Sequence, residues 1–168
     1  MMKLKLAGIK RDSIVDGPGL RVSVFVQGCP HCCPGCQNPE THDPEGGYTI
    51  DVEDVAAEIG AARGIDGVTF SGGEPFEQTQ ALAYLARKCR KMGLSLVYYS
   101  GYTFEQLLQK GRSNRHILTL LQQGQFLIDG PFELGLRDIS LAYRGSSNQR
   151  IIELEPSLAL NKAICREF

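Results

Sequence analysis

The chain has 168 residues, 42% of them apolar, and a formal net charge of −1. That length predicts one domain over residues 1–168, and the apolar content suffices for a real core. The charge balance gives no basic field for gripping nucleic acid, and no run approaches the roughly 18 apolar residues of a membrane span.

The N-terminus, MMKLKLAGIKRDS, is interrupted by Lys3 and Lys5 and has no apolar core of signal-peptide length. A cytoplasmic protein is expected, in a compartment that keeps thiols reduced. Leu20 to Val26 (LRVSVFV) reads as the first strand and ends in Gly28. CPHCCPGC follows, from Cys29 to Cys36. Asp51 to Arg63 has apolar residues at the helical period, with Asp51 as a candidate cap. Gly67 to Phe70 is a short buried-type strand that ends in SGGEP. Phe76 to Met92 reads as a helix with Leu82, Leu85, Ala86 and Cys89 on one face, stopped by Gly93. Leu94 to Tyr99 is a strand, Thr103 to Gln109 a short helix, and Ile117 to Gln122 is helical. Phe126 to Ile128 is a strand ending in DGP, and Ile151 to Leu154 a late strand.

Strands alternating with helices over short connections predict parallel βαβ units. Four or five units are fewer than the eight of a closed barrel, so the expected fold is α/β: an open partial (βα) barrel with a mostly parallel sheet. The cysteine loop, SGGEP, SGYT and DGP all follow predicted strands. In parallel α/β folds those C-terminal strand ends share one rim, where ligands bind.

Four of the six cysteines stand in the eight residues Cys29–Cys36. A disulfide staple fits poorly with a reducing compartment, with the vicinal pair Cys32–Cys33 and with the distant Cys89 and Cys165. Structural zinc usually takes two separated ligand pairs, although His31 and His42 could complete such a site. The spacing Cys29-x3-Cys33-x2-Cys36 puts three soft thiolates on one loop, which suits an iron–sulfur cluster. Three thiolates on a 4Fe–4S cube leave one iron open to a further ligand. Cys32 is read as filler, because its side chain points away from that of Cys33. Cys89 reads as a core residue, and Cys165 has no assigned role.

The C-x3-C-x2-C signature after the first strand, with Ser71-Gly72-Gly73-Glu74-Pro75 after the next clear strand, resembles the radical S-adenosylmethionine (radical SAM) superfamily. SIVDGPGLR (Ser13–Arg21) is similar to the lead-in of enzymes that activate glycyl-radical proteins, although a Pro-Gly turn would satisfy it alone. GCPHCCPGCQNPET (Gly28–Thr41) and LIDGPFELGLRDISLAYRGSSNQR (Leu127–Arg150) resemble the activating proteins of anaerobic ribonucleotide reductases. Activases of pyruvate formate-lyase usually carry an aromatic residue just before the last cysteine and are longer; Gly35 departs from that subgroup.

The resemblance implies that Cys29, Cys33 and Cys36 ligate a 4Fe–4S cluster whose open iron SAM chelates. It implies that the backbone at Gly35, Cys36 and Gln37 lies against adenosine, and that Gly72, Gly73 and Glu74 hold the methionyl amino group. Asp129 matches a position near SAM, and Asn38 braces the loop. The implied reaction is reductive cleavage of SAM to methionine and a 5′-deoxyadenosyl radical, which takes an α-hydrogen from a glycine of anaerobic ribonucleotide reductase. An electron donor such as flavodoxin or ferredoxin is implied, and neither nucleic acid nor a membrane. No side chain need act as acid or base, so His31, His42 and His116 are assigned surface or loop roles. A chain this short has little left to wall off a small molecule, which favours a macromolecular substrate. RGSSNQR (Arg144–Arg150) is either a solvated connection or a partner- or SAM-contacting element at the rim. The alternatives are activation of another glycyl-radical enzyme, of the pyruvate formate-lyase type, and a non-catalytic metal-bound binding module.

Overall fold

The computed structural model describes residues 1–168. Its first strand, β1 (Lys3–Ser13), alternates lysines with Leu4 and Leu6, and both leucines are fully buried. The turn through Asp16–Gly19 returns the chain as β2 (Arg21–Val26), antiparallel to β1. β3 (Tyr48–Asp51) then lies antiparallel on the other edge of β1. From there the chain alternates: α1 (Val52–Ala61), β4 (Gly67–Gly72), α2 (Thr79–Lys91), β5 (Ser95–Ser100), α3 (Phe104–Gly111), α4 (Arg115–Gln123) and β6 (Phe126–Asp129). β7 (Arg150–Glu153) and α5 (Leu154–Leu160) close the chain.

The result is a mixed α/β fold with one seven-stranded sheet in the order β3-β1-β2-β4-β5-β6-β7. The contiguous strands β2, β4, β5 and β6 are parallel, as the alternating pattern predicts. The flanks differ from that expectation. β1 and β7 run against their neighbours, and β1 and β3 fall where no element is predicted. A strand that hairpins back through a Pro-Gly turn needs no crossover helix, so the βαβ pattern does not reveal it. α2 starts at Thr79 rather than Phe76, because Pro75–Glu77 forms a 3-10 turn instead. Gln78, at the junction, exchanges two hydrogen bonds with the backbone of Lys5 (2.9 and 2.8 Å) and fixes β1 to the entry of α2. Asp51 precedes α1 without capping it, since its carboxylate pairs with Lys3. Thr103 caps α3 in a reciprocal box with Gln106.

The main core lies between the sheet and its helices. Leu82, Leu85, Ala86 and Cys89 of α2 are all fully buried in it, alongside Leu96 and Tyr98 of β5. Burial pushes the Cys89 thiol up to about 12 and leaves it an inert core group. The alternate residues of the strands form a smaller cluster of Val97, Phe126, Ile128 and Ile151 on the other face. The C-terminal tail runs beside β7, with Arg166 N–H donating to Ile151 O (2.8 Å) and Glu153 N–H to Ile164 O (2.9 Å). That covers an otherwise bare sheet edge.

Arg21 is the largest fully buried side chain. All five of its N–H donors are used: Nε to Thr69 Oγ1 (2.8 Å), Nη1 to Pro18 O and Ser95 Oγ, and Nη2 to Val68 O and Ser95 O. Burial pulls its pKa down to about 10, still charged at neutral pH. Thr69 Oγ1 donates in turn to Asp16 O (2.6 Å), so the guanidinium fixes the Asp16–Gly19 turn on β4 and β5. A lysine has three donors and cannot span these acceptors. Arg21→Lys is expected to lower stability by about 1–3 kcal/mol. In urea this appears as a lower midpoint with an unchanged slope.

Candidate functional site

The parallel strands deliver their C-terminal ends to one rim. A cavity of about 610 Å³ opens there, on the sheet face away from the helices. Phe25, Ser71 and Tyr99 form its floor, the residues that alternate out of the main core on β2, β4 and β5. Cys29, Cys33 and Cys36 all line its wall, with Gln37, Asn38, Gly72 and Gly73. Cys32 does not; it takes a left-handed backbone (φ 46°), is exposed, and donates its thiol to Cys29 O.

The cysteine loop is fastened at both ends. Gly28 N–H donates to Thr41 O (2.7 Å) and Cys29 N–H to His42 O (3.3 Å). Gly73 N–H donates to Val26 O and Glu74 N–H to Gly28 O, both at 2.8 Å. Such close backbone approach needs glycine. A Cβ on Gly73 would strike the Gly28 carbonyl, and Gly72 sits at φ +94° with its Cβ direction 2.6 Å from Val26 N. Asn38 braces the loop through its backbone, its carbonyl accepting from Thr41 N–H and Oγ1 (2.9 and 2.7 Å).

The three thiols suit a cluster. Each is half-buried and none is in a disulfide. Asn38 N–H points at Cys36 Sγ (3.4 Å), and the amides of His31 and Cys32 point at the Cys29 sulfur. Burial pushes the Cys29 and Cys36 thiols up, while these amides favour the thiolate. Amide donors at cysteine sulfur are a feature of iron–sulfur ligation. No three His, Cys, Asp or Glu side chains converge on a single point that would hold one ion. A cube, offering each thiolate its own iron, tolerates that wider spread.

Glu74 lies beneath the cavity with no solvent exposure. Its carboxylate accepts from Phe76 N–H (3.0 Å), Gly101 N–H (2.8 Å), Ser100 Oγ (2.9 and 3.0 Å) and His31 Nε2 (2.8 Å). The sequence expectation assigns this group to the methionyl amino group of SAM; in the structure four protein donors meet it. His31 thereby gains a loop role, with its ring also edge-on to Tyr102 at 4.5 Å. A similar inward turn befalls Asp129, which is buried, accepts from Phe104 N–H (2.7 Å) and pairs with Arg150 at 2.5 Å. These bonds, with a second pair to Glu105, push the Arg150 guanidinium up. Arg150 therefore faces carboxylates of its own chain, while Gly130, Arg144, Gly145 and Gln149 line the cavity. His42 also lines it, and its Nε2 is buried without a hydrogen-bond partner. His116 sits on α4, outside the cavity.

Gly35 turns at φ +76°, and a Cβ there would come within 2.8 Å of Leu134 Cδ1 and 3.4 Å of Phe132 Cε1. The space beside the last cysteine is filled from the β6–β7 loop, which leaves no room for an aromatic residue. Tyr99 and Phe132 were not anticipated as cavity residues. The β5 alternation was the available signal for Tyr99, and nothing local marks Phe132.

An α/β sheet that presents three reduced thiols at its strand ends matches a known class. Residues 15–152 match the 4Fe-4S single cluster domain family, which makes this a single-cluster iron–sulfur protein. The chain is 34% identical over 149 residues to the anaerobic ribonucleoside-triphosphate reductase-activating protein of Salmonella typhi, covering 84% of this chain and 93% of that one. It is 33% identical to the protein of the same name from Enterobacteria phage T4, over 82% of this chain and 86% of the other. Similarity to the pyruvate formate-lyase-activating enzyme of Clostridium pasteurianum, 32%, spans 65% of this chain and 50% of that enzyme. Within the single-cluster class, the chain belongs to the family of anaerobic ribonucleoside-triphosphate reductase-activating proteins.

Glu74→Gln exchanges an acceptor for an amide whose NH2 must face donors. It is expected to destabilise the protein by about 1.5–3 kcal/mol and to speed backbone hydrogen exchange at Gly101 and in the cysteine loop. Glu155→Gln, exposed on α5 away from the cavity, is the control and leaves exchange there unchanged.

Proposed function

We infer that the protein is a radical SAM activase that generates a glycyl radical on anaerobic ribonucleotide reductase. The observation that carries this reading is the set of three half-buried thiols on the wall of one strand-end cavity, two of them already met by backbone amides. Family membership supports the target. When bound, a 4Fe–4S cluster with one open iron supplies an electron to the sulfonium of SAM, and the carbon–sulfur bond breaks to methionine and a radical that takes a glycine α-hydrogen.

The residues of this chain then bind, orient and exclude water. Cys29, Cys33 and Cys36 hold the cluster. The backbone at Cys36 and Gln37 forms the wall for the adenosine part, with Gly35 behind it. Gly72 and Gly73 bring main chain close to the methionyl amino group. Glu74 acts from below, by fixing Gly101 and the His31 turn of the cysteine loop. Asp129 likewise anchors the segment that carries Gly130.

Ile14 and Val15 stand at the mouth of the cavity, 71% and 63% exposed, where an apolar partner surface would cover them. That arrangement supports a macromolecular substrate whose glycine-bearing segment closes the site, with a flavodoxin- or ferredoxin-type donor supplying the electron. The open barrel of this superfamily, a single domain and a cytoplasmic setting complete the reading. No helix is long and apolar enough to cross a membrane.

Anaerobic reconstitution with iron and sulfide, followed by a reductant and SAM, is expected to yield methionine and 5′-deoxyadenosine. Single Cys29→Ala, Cys33→Ala or Cys36→Ala variants are expected to abolish cleavage, whereas Cys32→Ala retains it. With the reductase present, a glycyl radical signal should follow. A well-formed cluster that cleaves no SAM, with or without the reductase, contradicts the reading.

A second prediction follows from the thiols. Because Cys29 and Cys36 are pushed above the ordinary range of about 8.5, they are protonated at neutral pH in the metal-free protein. Ligation requires thiolate, so cluster loading releases protons and is favoured as pH rises. Iron uptake measured against pH is expected to climb on the alkaline side, and a flat profile would contradict this.

A further inference from the structure

We propose that Cys32 and Cys29 form a thiol–disulfide site that reacts with small-molecule disulfides and, when closed, withholds Cys29 from the cluster. The gating half of this rests on the reading above, which makes Cys29 a ligand. CPHCCPGC is two Cys-Pro-x-Cys units back to back, Cys29–Cys32 and Cys33–Cys36. Cys-x-x-Cys is the spacing of redox-active dithiols. Cys29, Cys33 and Cys36 line the cavity, whereas Cys32 has no part in it.

The local geometry brings the first pair together. Cys32 N–H points at the Cys29 sulfur, and the Cys32 thiol donates to Cys29 O (3.5 Å). Each sulfur thus lies against the main chain of the other residue. Rotation about the Cys32 Cα–Cβ bond, which an exposed side chain is free to make, carries its thiol from the carbonyl toward the Cys29 sulfur. The left-handed backbone of Cys32 (φ 46°) folds it back over Cys29. Glycine adopts such a conformation at less cost, as Gly35 does in the second unit (φ 76°). The sulfur kept at position 32 does not reach the cavity, so its chemistry is directed to solvent.

Placement disfavours the other pairings. Cys32 is the one exposed thiol of the loop, and the other three are half-buried, so a disulfide arriving from solvent meets Cys32 first. Cys33 is its sequence neighbour, too close for an unstrained bridge. Cys89 is sealed in the core, and Cys165 lies beside β7 at the far edge of the sheet. The reaction balances with the small disulfide as the only co-reactant. The Cys32 sulfur attacks it and releases one thiol; the Cys29 sulfur then attacks the Cys32 sulfur and releases the second. The protons of the two protein thiols leave on the two released thiols. The protein gives up two electrons, and the small disulfide takes them. Cys29 cannot hold iron while its sulfur is bonded to Cys32, so closing the bridge and loading the cluster exclude each other.

The test treats the whole chain, free of iron, with oxidised glutathione under anaerobic conditions. After the glutathione is removed, free thiols are alkylated in one portion and the bridge is mapped by mass spectrometry. In a second portion the initial rate of cluster loading is measured from iron and sulfide with no added thiol. The wild type is expected to close Cys29–Cys32, to keep Cys33 and Cys36 as free thiols, and to lose most of its loading rate, which dithiothreitol restores. Cys32→Ser and Cys32→Ala are expected to load at the same rate before and after treatment. A bridge between other cysteines, or an equal loss of loading in the Cys32 variants, overturns the proposal while the cluster reading stands. So does a wild type that stays fully reduced, or one that loads at full rate with the bridge closed. Reduced wild-type protein that takes up no cluster overturns the reading of Cys29 as a ligand, and the gating with it.

Discussion

A carboxylate with no access to water sits where three strand ends meet. Glu74 leaves β4 just after the glycines and takes hydrogen bonds from the cysteine loop through His31, from the end of β5 through Ser100 and Gly101, and from its own turn through Phe76 N–H. Burying such a group is unfavourable unless its lone pairs are filled, and here four donor groups fill them. The donors come from the cysteine loop, the end of β5 and the 3-10 turn, and the one carboxylate ties the three together. The geometry of the cavity rim therefore depends on this one group, and the thiols stand where they do because the loop carrying them is tied to it.

A second buried group plays the matching part at the opposite end of β2. Arg21 grips the Asp16–Gly19 turn, β4 and β5 with all five donors. Asp16 is fixed by Ser13 and Ser23 as well, at 2.5 and 2.8 Å. Buried polar groups that are fully satisfied give uniqueness rather than large net stability. That suits a site whose work is to hold a cofactor and a ligand in register, with the chemistry left to the cofactor.

Much of this was legible in the sequence. The parallel βα units showed because their strands and helices each carry a clear hydrophobic period, and the loops after those strands meet at one rim. The C-x3-C-x2-C spacing placed Cys29, Cys33 and Cys36 together, and the three do line one cavity. β1 was hidden by length, since Leu4 and Leu6 give only two turns of alternation before the pattern becomes irregular at Gly8. The protein partners of Glu74 were hidden for a different reason. Its partners come from residues 31, 76, 100 and 101, and no local pattern tells a carboxylate that faces a ligand from one that gathers backbone amides. Asp129 and Arg150 were obscured likewise, by a pairing across antiparallel strands that the βαβ reading does not contain.

The central claim is that three thiolates of this loop hold a cluster with one iron left for the ligand. Mössbauer spectra of the reconstituted protein, taken before and after SAM is added, test it most directly. The account predicts one iron with its own signal, and a shift of that signal alone when SAM binds. Irons that are all equivalent, with spectra unmoved by SAM, would contradict it.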